Sequence, residues 1–305
     1  MSTGIVNTGA VNPSVMDSSR TTARVVLTVA GLTLREASRR KVLRALIALT
    51  VALLALSGWG FSRLAVEETN FGTLTSGQAR LVASQLLNLV MFGMSLIAAL
   101  GTAFLAGPTV SGEVESGIAL SVLARPVRRW VGVLGKWLGL AVFGSGFIVL
   151  AGLAMCLVVQ LTVDYWPPNI VAALALLAGQ TIVLLTLALL LSTAVSPMAS
   201  GVVAVGLFGA TWVAGVVGGI GQALGNEGVE RVGTVSRMLL PTDGLWRGAM
   251  HAFQDPAVFA QLGGDLDGHP FLSKAPLTAA YLGWAALWVI MVWALAAASF
   301  ARKDL

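Results

Sequence analysis

Charge is what this chain has least of. Asp, Glu, Lys and Arg make up 11% of its 305 residues, where soluble domains carry about 25%. That scarcity excludes an ordinary soluble globular protein. Hydrophobic residues reach 56% and mean hydropathy is +0.85, so lipid must be the solvent for much of the surface. Cysteine is almost absent: the single Cys156 lies in an apolar run, which excludes an internal disulfide and a cysteine metal cage. Histidine occurs only at positions 251 and 269. With only Asp255, Asp265 and Asp267 nearby, both are expected as solvated surface histidines and not as a metal site. Met91, Met94, Met155 and Cys156 are expected as apolar filler; no acid or histidine stands by to make them a soft-metal path.

Apolar runs are what is present. Six are long enough to cross a bilayer, at about 43–61, 82–107, 131–163, 170–193, 199–221 and 277–299, since a crossing takes about 20 residues. The predicted fold class is therefore all-α, a polytopic membrane protein with six transmembrane helices. Residues 1–22 are small and polar and are expected as a flexible tail. In 23–42, Val25, Val26, Val29 and Leu32 recur at helical spacing before Arg35, Glu36, Arg39, Arg40 and Lys41. This predicts an amphipathic helix lying in the membrane interface. Residues 43–305 then form the transmembrane domain. Its first run begins so late, after a basic segment, that it is expected as a retained anchor and not a cleaved leader.

An even number of spans puts both termini on one side. The tail and basic helix, the 108–136 segment, the 194–198 turn and the C-terminal residues hold thirteen Lys and Arg; the loops of the other side hold six. The positive-inside rule then makes both termini cytoplasmic. Trp130 and Trp137 would mark the inner boundary, Trp59 and Trp166 the outer one. The net charge of +5 reports this topology and contact with anionic lipid headgroups, not nucleic acid.

The body of every span lacks Asp, Glu, Lys, Arg and His. Ion-coupled carriers, pumps and voltage sensors keep such groups at membrane depth although each costs about 2.5–3.5 kcal/mol. An intramembrane enzyme would also need them. Energy for any transport should therefore enter from outside the bilayer. The polar groups that are present form patterns. Gln85, Asn88, Ser95 and Thr102 share one face of the second span, with Phe92 in the same row. They are either a pathway lining or glue between helices. The fifth span carries Gly201, Gly206, Gly209, Gly215, Gly218, Gly219 and Gly221, with Gly225 beyond, a row interrupted by Thr211 and Trp212. Gly215–Gly219, Gly221–Gly225 and, in the third span, Gly135–Gly139 have the spacing of close helix approach. The long link 222–276 contains one predicted helix, from Thr242 or Asp243 as cap to about Phe253, with Leu245, Trp246, Ala249 and Phe253 on its apolar face. It is expected to dip into the outer leaflet or to cover the spans.

The segment 108–130 carries more than a turn requires. Pro108 is expected to end the second span. Glu113 and Glu115 would open a short helix, where the dipole favours acids. Ile118, Leu120, Val122 and Leu123 give it apolar contacts, Arg125-Pro126 breaks it, and Arg128, Arg129 and Lys136 follow. An acidic pair, glycine, an apolar run, Ala-Arg-Pro-x-x-Arg and Gly-Lys-Trp-x-Gly together resemble the membrane subunit of ATP-binding-cassette transporters of the type-2 exporter family. The nearest likeness is to the branch with the permease for nitrous-oxide-reductase maturation. The likeness extends to the basic helix before span one, the long link before span six and the Arg-Lys-Asp-Leu tail. One departure is Gly117-Ile-Ala, where the family often has threonine after the glycine.

The resemblance implies a permease in a bacterial inner membrane, built of two such subunits, in all expectation identical, and two cytoplasmic ATPases that bind ATP and Mg. Residues 109–123 would be the coupling helix that docks on the ATPase. Glu113, Glu115 and Gly117 match its acidic start, and Arg125, Pro126, Arg128, Arg129 and Lys136 its basic end. Spans two and five would face the dimer axis, which makes Gln85, Asn88, Phe92, Ser95, Thr102, Thr211, Trp212, Gly215 and Gly219 the expected substrate path or dimer interface. An uncharged lining implies export of an apolar or amphipathic cargo; the alternative is a scaffold subunit that transmits force without carrying cargo. The chain itself is expected to bind no cofactor and not to be an enzyme. Its only Gly-Lys pair, Gly135-Lys136, is followed by Trp137 and lacks the phosphate-cradling glycine spacing.

Overall fold

The computed structural model describes the backbone of residues 13–67, 76–115, 129–257 and 270–302, and the side chains within 22–63, 82–108, 130–257 and 270–302. These residues form helices and no strand. In chain order the helices are α1 (Pro13–Arg39), α2 (Lys41–Glu67), α3 (Ser76–Glu115), α4 (Arg129–Val163), α5 (Ile170–Ser192), α6 (Pro197–Ala223), α7 (Glu227–Leu239), α8 (Thr242–Phe253) and α9 (Ala279–Ala301). Six of them, α2 to α6 and α9, are long and apolar enough to cross a membrane. Their apolar stretches fall within three residues of the predicted runs, because a 20-residue apolar demand leaves little freedom in placing a span. The protein is a multi-pass, all-helical membrane protein.

The middle of the bundle belongs to α3 and α5, the two most buried spans. Around α3 lie α2, α4, α5, α6 and α8. Its buried row Leu87, Met91, Met94 and Ile97 packs with Ile148, Met155 and Cys156 of α4 and Leu177 of α5. The methionines and the cysteine are thus core packing. Close approach is bought with glycine only where helices cross: a methyl at Gly144 would run into Thr102 of α3 and Thr181 of α5, and one at Gly152 into Leu174.

Three features differ from the sequence expectation. First, α1 begins at Pro13 and not near 23; a proline at the start of a helix has φ already set and lacks an amide hydrogen that would go unbonded. α1 also has a protein partner, since it packs along the start of α4. Val26, Thr33 and Ala37 are buried there, and Gly135 and Gly139 accept Val29 and Ala30 against their bare backbone. The predicted close approach at Gly135–Gly139 is therefore spent on α1. Second, α3 does not stop at Pro108. It runs through it to Glu115, so the two glutamates are not in the first turn of a new helix. Third, Trp137 is half-buried against α5 and not exposed like the other three boundary tryptophans. Its Nε1 donates to Thr186 Oγ1 of α5 at 2.9 Å, whereas Trp59, Trp130 and Trp166 are exposed.

The described residues of the link include two helices, α7 and α8. Gly225, with φ +66°, sits just past the end of α6. Asn226 N donates to Gly221 O and Gly225 N to Gln222 O, which closes α6 with paired bonds that require a left-handed residue. The Asn226 side chain then accepts from Val229 N and starts α7. Gly225 is thus a turn residue, not a packing one. α7 returns along α6, with Gly218 against Gly233 and Gly221 against Val229. α8 leaves α7 and is buried between α5, α6 and α3. The last carbonyls of α7, which its own helix cannot satisfy, accept from α9: Tyr281 Oη to Arg237 O (2.9 Å), Trp284 Nε1 to Met238 O (3.2 Å) and Trp288 Nε1 to Leu239 O (2.8 Å).

Candidate functional site

The polar residues of α3 meet α5 and the folded link, all within one chain. Ser95 Oγ donates to Gln180 Oε1 at 2.9 Å, and Gln180 Nε2 donates to Thr242 O at 3.3 Å. The Thr242 and Thr211 hydroxyls lie 3.1 Å apart, so a chain of uncharged hydrogen bonds runs from α3 through α5 and α8 to α6. Asn88 Nδ2 donates to Phe271 O at 3.3 Å. Thr102 bonds back to Ala98 O in its own helix. Asn88, Ser95 and Thr102 are buried; Asn88 and Ser95 tie α3 to other elements, whereas Thr102 bonds within α3. Gln85 Nε2 and Asn88 Oδ1 have no partner among the described residues.

Beside this chain stands an aromatic stack. Phe92 lies 4.7 Å from Trp212, stacked, 5.4 Å from Trp246 and 5.8 Å from Phe271. Phe92 and Trp212 were expected on a common path, and they do meet, but inside the protomer. Phe271 is held by bonds to its carbonyl from Asn88 and from Gln254 Nε2, the latter at 3.2 Å. His251 Nδ1 donates to Ser273 O at 3.0 Å, so this histidine is fixed in the fold and not merely solvated; His269 lies outside the described residues. Tyr165 Oη donates to Phe253 O at 2.7 Å. Burial, with the Asp255 carboxylate adding to it, pushes that phenol well above its ordinary pKa and keeps it a donor.

The glycine row of α6 makes room for charge. Gly215 faces Asp243, whose carboxylate occupies the place of a Cβ. Arg237 Nε and Arg247 Nε each donate to Asp243 Oδ2 at 3.0 Å, and Arg247 Nη2 donates to Gly215 O at 2.7 Å. The Asp243 side chain is 1% exposed, those of Arg237 and Arg247 28% and 20%. Asp243 thus does not cap α8, which starts after Pro241 without a side-chain cap bond. Gly215 lies eight residues from the end of α6, about 12 Å along it at 1.5 Å per residue. No span contains these three groups; the link carries them to span depth. Gly219 lines a cavity of ≈ 400 Å³ beside Arg237, Arg247, Lys274 and Tyr281.

A second hollow, of ≈ 450 Å³, lies at the opposite end of the bundle, lined by α2, α3 and α6 through Val42, Leu46, Leu49, Ile97, Leu100 and Phe104 among others. It is apolar. Of the expected coupling residues, Glu113 and Glu115 lie on the backbone of α3 and Arg129 and Lys136 on α4. Gly117, Arg125, Pro126 and Arg128 lie outside the described residues. Sequence reasoning missed Gln180, a lone amide in an otherwise apolar run, and the Arg237–Asp243–Arg247 group. The first had a readable signal; in the second, Asp243 and Arg247 have the i,i+4 spacing of a pair on one helix, and only the part of Arg237 depends on how α7 meets α8. In comparison with known proteins, no family model and no curated protein matches the chain.

Proposed function

We propose that this protein is the membrane subunit of an ATP-driven transporter, similar to type-2 exporters of the ATP-binding-cassette class. It works as a homodimer with two separate ATPases on the side of the 108–130 segment, which we take as the cytoplasm of a bacterial cell. The cargo is apolar or amphipathic.

The observation that carries this reading is the continuity of α3. Its 40 residues extend about 60 Å, twice the roughly 30 Å hydrocarbon core, and end their described course at the acidic pair. α4, the next longest helix at 35 residues, begins on the far side of the same charged segment. A push on that segment would reach the centre of the bundle through the two longest described helices. α1, braced on α4 by its buried face while its arginines face away, suits a position in the interface on the same side. The apolar hollow between α2, α3 and α6 opens at this end and suits the proposed cargo.

One observation favours a rival. The Arg237–Asp243–Arg247 group puts ionisable side chains at span depth, as an ion-coupled carrier would need. Here, however, two guanidinium groups already bond the one carboxylate, which ties it into the contact between α6, α7 and α8. The two readings separate in vesicles that contain the protein with its co-purified partners. ATP-dependent transport that vanadate blocks and an uncoupler does not is expected. Uncoupler-sensitive transport without any nucleotide-hydrolysing partner overturns the proposal. Glu113→Lys should leave membrane insertion intact and abolish the coupling of ATP hydrolysis to transport. Unchanged docking and transport in that variant would remove the coupling role.

A further inference from the structure

We propose that Phe271 is a removable plug in a binding site for a membrane-soluble aromatic compound that carries a hydroxyl group. Four rings meet there: Phe92 of α3, Trp212 of α6, Trp246 of α8 and Phe271, the last 5.8 Å from Phe92 and 6.3 Å from Trp212. Phe92 and Trp212 lie in the middle third of the candidate spans Val82–Pro108 and Pro197–Ala223, so Phe271 reaches that depth too. Of the four rings it alone is carried by no helix, since 270–278 is irregular. Irregular backbone at span depth persists only where protein satisfies its polar groups or where it lines a cavity, and transporters place such breaks at binding sites. The Phe271 carbonyl is held by Asn88 Nδ2 at 3.3 Å and Gln254 Nε2 at 3.2 Å, at the long end of the usual range. Two residues on, His251 holds Ser273 O at 3.0 Å. The ring can therefore swing out while the segment stays anchored at Ser273.

The surroundings of the plug are polar as well as aromatic. Asn88 is 0% exposed and Trp246 1%, yet Asn88 Oδ1 and Trp246 Nε1 have no hydrogen-bond partner among the described residues. Buried polar atoms are nearly always paired, so two unpaired ones beside one stack call for a partner. Hydroxyl groups supply both an acceptor for the indole and a donor for the amide oxygen. Once the Phe271 carbonyl moves away, Asn88 Nδ2 becomes a further donor, and Phe92 and Trp212 can stack the ligand's ring in place of the plug. Phe92, Trp212 and Phe271 are half-buried, so the stack keeps an edge at the surface of the chain. At span depth that edge is reached by a compound dissolved in the membrane. The site lies within one chain and does not rest on the ATP-driven reading, so either can fail without the other.

The test uses the full chain in a neutral detergent. Its thermal unfolding is followed while 1-naphthol, naphthalene or cyclohexanol is titrated, which offer ring and hydroxyl, ring alone and hydroxyl alone. Saturable stabilisation by 1-naphthol is expected, with little response to the other two. A plug competes with the ligand, so Phe271→Ala should bind 1-naphthol about tenfold more tightly than wild type, whereas a ring that only packs would give no gain. Trp212→Ala should bind it about tenfold more weakly. Phe271→Leu keeps an apolar side chain at the position and replaces the alanine variant should that one not fold; it too should bind more tightly than wild type. Binding by the Phe271 variants with none by wild type would support the plug as well. Equal affinity in wild type and the Phe271 variants would overturn the proposal. So would naphthalene or cyclohexanol acting as strongly as 1-naphthol, or no saturable response in any form of the protein.

Discussion

Asp243 shows how one residue decides the state of a whole corner of the protein. It has almost no contact with solvent, and its charge is tolerated because Arg237 and Arg247 meet it at 3.0 Å. Asp243→Asn would leave two half-buried guanidinium groups face to face with no anion. We expect it to cost about 3 kcal/mol, the scale of breaking a buried pair, and to lower the thermal midpoint in detergent. Adding Arg237→Gln to that variant should restore part of the loss, since it removes the repulsion. Gly215→Ala acts on the same site by volume. Its methyl group would enter the space of the carboxylate, and overpacking of this kind costs about 1–3 kcal/mol. A midpoint unchanged in Gly215→Ala would mean that the carboxylate is not seated against α6. In the sequence Asp243 reads as a helix cap, because a carboxylate at the head of a helix usually is one. One partner, Arg247, lies four residues on in the same helix; the other, Arg237, lies six residues before on α7, at an angle to α8 that no local pattern reveals.

At the scale of elements, the six spans and α8 are legible because their signals are local: apolar length for the spans, and for α8 a 3.6-residue apolar rhythm after a turn. α7 was not read as a helix. Its sequence is polar and holds two glycines, yet Asn226 followed by Glu227 and Glu230, with Arg237 at the far end, has the charge order a helix dipole favours. The spacing Gly135–Gly139 marks close approach, as do Gly215 and Gly221, whereas Gly225 is a turn residue. Gly218 receives α7 and Gly135 and Gly139 receive α1. The α1 contact is testable. At Gly139 even a Cβ would meet the Ala30 carbonyl oxygen, so Gly139→Leu should lift α1 off α4. Trypsin cleavage at Arg24, Arg35 and Arg39 in detergent micelles should then be several-fold faster than in wild type. An identical cleavage rate would show that α1 does not depend on this groove.

For the whole molecule, the arrangement around α3 and α5 places the polar chain Ser95–Gln180–Thr242 in the interior of one protomer. The outer spans α2, α6 and α9 keep uncovered apolar faces, as at Leu56 of α2, Val202, Val213 and Val217 of α6 and Ile290 of α9. Orientation is the property of the whole that composition predicts most directly, through the unequal share of Lys and Arg. The only native cysteine is buried, so introduced cysteines report on a quiet background. A membrane-impermeant maleimide added to intact cells should label Ser62→Cys and leave Ser38→Cys untouched until the membrane is opened. Reversed labelling would invert the topology and move the 108–130 segment to the outside.

Composition and apolar length alone determined that this chain crosses a membrane, how often, and where each crossing lies, because the bilayer imposes one length on every span and forbids unpaired backbone within it. Which polar groups meet was decided only in three dimensions. The link folds back as α7 and α8 and carries Arg237, Asp243 and Arg247 beside Gly215, a depth that no span's own sequence reaches with charge. A hydropathy window sees each residue with its chain neighbours, whereas an ion group is made by residues that packing brings together.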